Sequence, residues 1–107
     1  MTKIEELKEK AKVGWASFIS FEALTSTAAP KLVQFSGVRQ GMKLLDVACG
    51  TGVVALTASR QGVEVEGIDL TPELISRAIE NSKIMGLKAK FVEGDAEFLP
   101  YKENEFD

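Results

Sequence analysis

Leu44-Leu45-Asp46-Val47-Ala48-Cys49-Gly50-Thr51-Gly52 is a short apolar run that enters a pair of glycines and then opens onto helix-forming residues. Glycines at such a turn let backbone approach a ligand with no Cβ in between, and the free N–H groups of the following helix point at any anionic part of it. This is the build of a nucleotide-cofactor loop. Alone it is unspecific, because Gly50-x-Gly52-x-x-Ala55 also fits the dinucleotide fingerprint. Its surroundings add two carboxylates. Asp69 stands seventeen residues beyond Gly52, at the end of the alternation Val63, Val65, Gly67-Ile68, where a second parallel strand would finish beside the first. An acidic side chain there accepts hydrogen bonds from both hydroxyls of a ribose. Gly94-Asp95-Ala96 follows a third strand-like run, Ala89–Glu93, and sets another carboxylate at a strand's C-terminal end. Three strand ends converge on one crevice, which is where open α/β sheets bind ligands.

Three motifs carry a family resemblance: Leu45-Asp46-Val47-Ala48-Cys49-Gly50-Thr51-Gly52, then Gly67-Ile68-Asp69-Leu70-Thr71-Pro72-Glu73-Leu74, then Gly94-Asp95-Ala96-Glu97-Phe98-Leu99-Pro100-Tyr101 with Phe106-Asp107 after it. The chain resembles the class I S-adenosylmethionine-dependent methyltransferases, most closely the small-molecule group that includes quinone-biosynthesis C-methyltransferases. The resemblance implies that the first motif cradles the methionyl part of the cofactor, that Asp69 holds the ribose, and that Asp95 bonds the adenine amino group. The implied cofactor-binding set is Asp46, Ala48, Cys49, Gly50, Thr51, Gly52, Asp69, Leu70, Asp95 and Ala96. Asp46, four residues before Gly50, separates this reading from NAD binding, since dinucleotide loops usually carry apolar residues there.

In that family a Phe-Asp pair begins the fourth strand, and four strands with the substrate-facing loops follow. The chain ends at Phe106-Asp107, so it is expected to be the cofactor half of the fold, inactive by itself, with the acceptor-binding part elsewhere. No catalytic residue is nominated. The alternatives are a non-catalytic S-adenosylmethionine-binding or self-associating fragment, and an NAD-linked oxidoreductase domain. An unpaired edge on the first strand is a template for pairing, and a homodimer through that edge is expected.

Several of these residues also have a structural reading. Cys49 has no basic neighbour in sequence and is expected to be a small packed side chain rather than a nucleophile. Trp15, Phe18 and Phe21, at helical spacing, are expected in the core rather than on a substrate pocket. Asp46 is expected to bond backbone N–H groups of its own loop. Asp69 is expected to face the ligand, and a side chain at position 52 to enter the ligand's space. Glu66 has no place in this scheme, since a strand with helices on both faces should not carry a carboxylate mid-run.

The elements that must position these residues are legible from Thr2 onward. Thr2 with Glu5 makes a capping-box pattern that starts a helix with apolar positions Ile4, Leu7, Ala11, Trp15 and Phe18. A second helix is predicted over 28–36, capped by Ser26 or Thr27, with Pro30 in its first turn and Gly37 at its end. This helical segment, 1–41, precedes a partial Rossmann-like cofactor-binding domain over 42–107. There the pattern alternates: strand 43–48, helix 52–61, strand 63–68, helix 72–85 and strand 89–93. Parallel strands need right-handed crossovers of this length, which predicts an α/β sheet in the order 3-2-1. Thr71 and Pro72 form a cap and first turn, and Leu74, Ile75, Ala78 and Ile79 form the stripe that packs on the sheet.

Composition narrows the function classes. At 45% hydrophobic and 27% charged residues the chain is that of a folded globular domain. A net charge of −3 with no basic run argues against nucleic acid as a partner. A single cysteine and no histidine exclude an internal disulfide, a zinc site and Ser-His-Asp chemistry within the chain. The N-terminus has no apolar core region and no stretch approaches membrane-spanning length, so a cytoplasmic protein is expected.

Overall fold

Thr2 starts the first helix as its sequence predicts. In the computed structural model, which describes residues 1–107, its hydroxyl accepts the Glu5 N–H at 3.1 Å and its own N–H donates to the Glu5 carboxylate at 2.6 Å. Helix α1 spans Lys3–Ala16, yet no residue of it is buried, and Ile4 and Leu7 of the expected apolar stripe are exposed. A 3₁₀ turn follows at Ile19–Phe21, then α2 (Glu22–Thr25) and α3 (Ala29–Ser36). Ser26 and Thr27 do not cap α3. Their hydroxyls instead donate back to the carbonyls of Ala23 at 2.7 Å and Leu24 at 2.9 Å at the end of α2. Pro30 in the first turn and Gly37, at φ 74° in the left-handed region, delimit α3 as expected.

From Lys43 the strands and helices alternate: β1 (Lys43–Val47), α4 (Val53–Ser59), β2 (Glu64–Asp69), α5 (Pro72–Ile84) and β3 (Lys90–Glu93). The three strands are parallel with β2 central, the predicted order, and pair in the register Leu45↔Glu66↔Lys90. Thr71 occupies the N-cap position of α5 without a side-chain cap bond, and its backbone N–H donates to the Asp69 carboxylate at 2.9 Å. On α5, Leu74, Ile75 and Ala78 are buried, but Ile79 is exposed and Ser82 takes its place in the packed stripe, its hydroxyl bonded to the Leu87 carbonyl at 3.1 Å.

The core lies on one face of the sheet. Val65 and Phe91 pack there against Ala55, Leu56 and Ala58 of α4 and Ile75 and Ala78 of α5, with Val33 of α3 behind α4. The opposite face carries no helix, and this resolves Glu66. Its carboxylate accepts the Tyr101 hydroxyl and lies 3.5 Å from the Lys90 ammonium, while Phe106 meets the Tyr101 ring edge-on at 5.0 Å. A mid-strand carboxylate is tolerated because that face is covered by a polar-tipped loop rather than by an apolar helix.

The outer edge of β1 is less open than its sequence implies. The Asp107 N–H donates to the Lys43 carbonyl at 2.8 Å, and the Lys43 N–H donates to the Asp107 carboxylate at 2.9 Å. No helix is long and apolar enough to cross a membrane.

Candidate functional site

The ladder continues past the ends of the strands and draws three loops together. The Cys49 N–H donates to the Ile68 carbonyl at 3.0 Å, and the Gly94 N–H to the Asp69 carbonyl at 2.9 Å. Ala48, Gly50 and Gly52 all have positive φ, 58°, 56° and 85°, so the chain after β1 turns sharply before α4 begins. The loops enclose one side of a cavity of about 610 Å³; α1, the 3₁₀ turn and α2 enclose the other.

Nine of the ten residues selected from sequence line this cavity: Asp46, Ala48, Cys49, Gly50, Thr51, Asp69, Leu70, Asp95 and Ala96. Gly52 does not. A Cβ there would sit 2.9 Å from Phe91 Cζ and 3.3 Å from Ala78 Cβ, so this glycine is required by core packing and by its φ, not by space for a ligand. Gly50 lines the cavity, and a Cβ added to it meets nothing within 4 Å.

The carboxylates are held in different ways. Asp69 accepts the Gly50 N–H at 2.8 Å on one oxygen and the Thr71 N–H at 2.9 Å on the other. A carboxylate has about four lone-pair sites, so both oxygens retain capacity toward the cavity. Asp46 accepts the Ala55 N–H in the first turn of α4 at 3.2 Å. Burial pushes its pKa up to about 6; the Ala55 bond opposes this and the negative charge of Asp69 adds to it. Burial likewise pushes the Cys49 thiol up to about 12, with Asp46 and Asp69 contributing, so Cys49 is a protonated, packed side chain.

Asp95 is engaged from an unexpected direction. The Lys8 ammonium of α1 lies 2.5 Å from one of its oxygens and 2.9 Å from Glu97, with the Phe98 ring centroid 5.4 Å away. The Lys8 hydrogen bond holds the Asp95 carboxyl below its ordinary range, and the two carboxylates raise Lys8 in turn. A second tie joins α2 to the loop. Glu22 accepts from Arg77 Nε at 3.4 Å and Asn81 Nδ2 at 3.2 Å, and the same Asn81 amide donates to the Thr51 carbonyl at 3.2 Å. Burial pushes Glu22 up, but bonds from Thr51, Asn81 and Arg77 outweigh it and hold the group below its ordinary value. Sequence reasoning missed Lys8, Glu22, Arg77 and Asn81, and no local signal marks them.

Trp15, Phe18 and Phe21 correct the expectation of a core role. They are 58%, 43% and 47% exposed and line the cavity, with ring centroids 5.4 and 5.0 Å apart in succession. Helix α1 ends at Ala16, and the 3₁₀ turn that follows brings residues three apart into line, so the three rings form one ladder on the cavity wall.

The residues present suit S-adenosylmethionine, which carries a sulfonium cation and a ribose. Five carboxylate residues, Glu22, Asp46, Asp69, Asp95 and Glu97, line the space together with Gly50, and no group of three or more His, Cys, Asp or Glu side chains is arranged to hold a metal ion. Residues 44–107 match the model of the methyltransferase domain family. The chain is 43% identical over 86 residues to an uncharacterized protein of Mycobacterium tuberculosis, covering 80% of this chain and 31% of that protein. It is 40% identical over 80 residues to the demethylmenaquinone methyltransferase of Staphylococcus aureus, covering 72% of this chain and 33% of that enzyme. A solved SAM-dependent methyltransferase from Aquifex aeolicus superposes with a TM-score of 0.65 at 27% identity, over 72% of this chain and 43% of that one. The chain thus spans about a third of the length of the curated relatives it matches. The chain belongs to the methyltransferase domain family, of the class I S-adenosylmethionine-dependent fold.

Proposed function

We propose that the cavity at the strand ends binds S-adenosylmethionine for methyl transfer to a small-molecule acceptor. The observation that carries this reading is Asp69. Its carboxylate is oriented by the Gly50 and Thr71 N–H groups and still borders the cavity, as a group that accepts ribose hydroxyls must. The cofactor supplies a methyl group already activated on a sulfonium, so the protein mainly aligns donor and acceptor and excludes water. The Gly50 turn leaves room for the methionyl part. Asp46 and Asp69 put negative charge beside the sulfonium, and Asp95 stands ready for the adenine amino group once it shares or releases Lys8. The relative named for demethylmenaquinone supports a small-molecule acceptor.

Calorimetric titration with S-adenosylhomocysteine tests the reading. Asp69→Ala should weaken binding by about 10- to 100-fold, the loss of charge-assisted hydrogen bonds of about 1.5–3 kcal/mol. No binding to the unaltered chain would overturn the reading, and equal affinity in the variant would remove Asp69 from it. A larger thermal shift with NAD than with S-adenosylmethionine would favour the oxidoreductase alternative.

The same proposal extends to assembly. Beyond Lys43 the outer edge of β1 is where a second copy would add a strand, giving the expected homodimer. Sedimentation at micromolar concentration should show a dimer that Leu45→Pro dissociates or unfolds, whereas a well-folded monomer removes the homodimer.

A further inference from the structure

The charges around the cavity do not balance. Glu22, Asp46, Asp69, Asp95 and Glu97 line it, and no lysine, arginine or histidine does. The cations nearby are already matched, Lys8 by Asp95 and Glu97, and Lys12 by Glu9 at 3.0 Å. Arg77 is divided, meeting Glu22 through Nε at 3.4 Å and Glu80 through a terminal nitrogen at 3.8 Å. An amino-acid arm such as the methionyl group carries one ammonium and one carboxylate, and only the ammonium finds an opposite charge in this space. We infer that Glu22 is the counter-ion of the ligand's primary ammonium and that the site does not read the ligand's carboxylate, so that it takes carboxylate-free adenosyl amines as well as S-adenosylmethionine. This rests on the proposed cofactor reading and adds to it a binding residue and a wider ligand class.

Position singles out Glu22 among the five. It begins α2, and Asn81 Nδ2 donates both to its Oε2 at 3.2 Å and to the Thr51 carbonyl at 3.2 Å. Two acceptors that share one amide nitrogen are near neighbours, so this carboxylate stands beside the loop assigned to the methionyl part. Its bonding leaves room for a ligand. Arg77 Nε and the Asn81 amide both meet Oε2, so Oε1 keeps acceptor capacity even with the bond from Thr51. The group is held below its ordinary value and is ionised at neutral pH, and its side chain is 27% exposed beside a space that it lines. An ammonium placed there makes a charge-assisted hydrogen bond, about twice as strong as a neutral one. A ligand carboxylate meets the reverse situation. Asp46 and Asp69 flank the same loop through their bonds to the Ala55 and Gly50 N–H groups, and together with Glu22 they repel an anion in the space between them.

A series of adenosine 5′-thioethers, titrated calorimetrically into the full chain at neutral pH, tests the inference. The 3-aminopropyl thioether keeps the ammonium of S-adenosylhomocysteine and lacks its carboxylate, the 3-carboxypropyl thioether does the reverse, and 5′-methylthioadenosine lacks both. The aminopropyl compound should bind about two- to fivefold tighter than S-adenosylhomocysteine, the scale of relieving one like-charge repulsion across a hydrated space. The carboxypropyl compound should bind more weakly than 5′-methylthioadenosine. Glu22→Gln keeps an oxygen for Arg77 and Asn81 and removes the charge. It should weaken the aminopropyl compound about tenfold, the scale of one charge-assisted hydrogen bond, and leave 5′-methylthioadenosine within about twofold, which a disordered loop would not do. An aminopropyl compound that binds more weakly than S-adenosylhomocysteine would show that the carboxylate is read and overturn the inference. So would equal losses for the aminopropyl and methyl compounds in the variant, since Glu22 would then hold the loop and not the ligand. Should the variant fail to fold, the ligand series in the unaltered chain decides by itself. Binding of 5′-methylthioadenosine with no preference among the arms overturns this inference and leaves the cofactor reading standing, whereas a chain that binds none of the adenosine compounds overturns both.

Discussion

Asp46→Asn separates the carboxylate's charge from its hydrogen bond. The amide retains an oxygen to accept the Ala55 N–H now held at 3.2 Å, and it removes the charge that burial disfavours. A carboxyl standing at about 6 instead of 3.8, at 1.36 kcal/mol per pKa unit, costs the folded state about 3 kcal/mol once it ionises. The sign follows from proton uptake. Between 3.8 and about 6 the folded chain binds this proton and the unfolded chain does not, so Asp46's contribution to stability falls as pH rises through that window and levels off above it. Asp95 and Glu22, whose carboxyls are held below their ordinary values, act in the opposite sense and lose their contribution in acid. Both are present in variant and wild type, so the difference between the two isolates Asp46. Urea unfolding followed by circular dichroism should show Asp46→Asn more stable than wild type by up to about 3 kcal/mol near pH 8, with the advantage shrinking below about 1 kcal/mol near pH 4. An advantage of the same size at both pH values would falsify the claim that a desolvated charge is responsible. The same variant should lose more affinity for S-adenosylmethionine than for S-adenosylhomocysteine, since only the former carries a sulfonium.

The two glycines of the loop should respond oppositely. Gly52→Ala, with φ 85° and a Cβ 2.9 Å from Phe91, should lower stability by about 2–3 kcal/mol in urea unfolding, whereas Gly50→Ala should cost nearer 1 kcal/mol yet abolish calorimetric binding of S-adenosylhomocysteine. Ala48, the non-glycine residue of the loop at φ 58°, should gain about 1 kcal/mol on replacement by glycine; a loss would mean its methyl packs better than its backbone is strained. Lys8→Gln frees Asp95 and Glu97 from α1, so amide hydrogen exchange should accelerate across residues 3–16 while β1 and β2 stay protected. Unchanged exchange in α1 would show that its contacts with α5 hold it without the ion pairs.

Local chemistry made much of this molecule legible. The Thr2 and Glu5 capping box, Pro30 and Gly37 around α3, the alternation of strand and helix from Lys43, and the parallel order of the sheet each depend on residues a few positions apart or on crossover length. The carboxylates at positions 46, 69 and 95 were legible for the same reason, because a strand's end fixes where its last side chains emerge. Only the folded chain decided what those groups meet. Lys8 reaches Asp95 across 87 residues, Glu22 reaches Asn81 across 59, and Tyr101 reaches Glu66 across 35, and no periodicity encodes such pairs. Gly52 turned out to face Phe91 rather than the cavity, since the direction of a Cβ depends on a backbone turn that spacing does not specify. The aromatic residues 15, 18 and 21 have the spacing of a buried stripe; they line a cavity because α1 stops at Ala16, and which wall a ring belongs to is set by where its helix ends and by what lies beneath it.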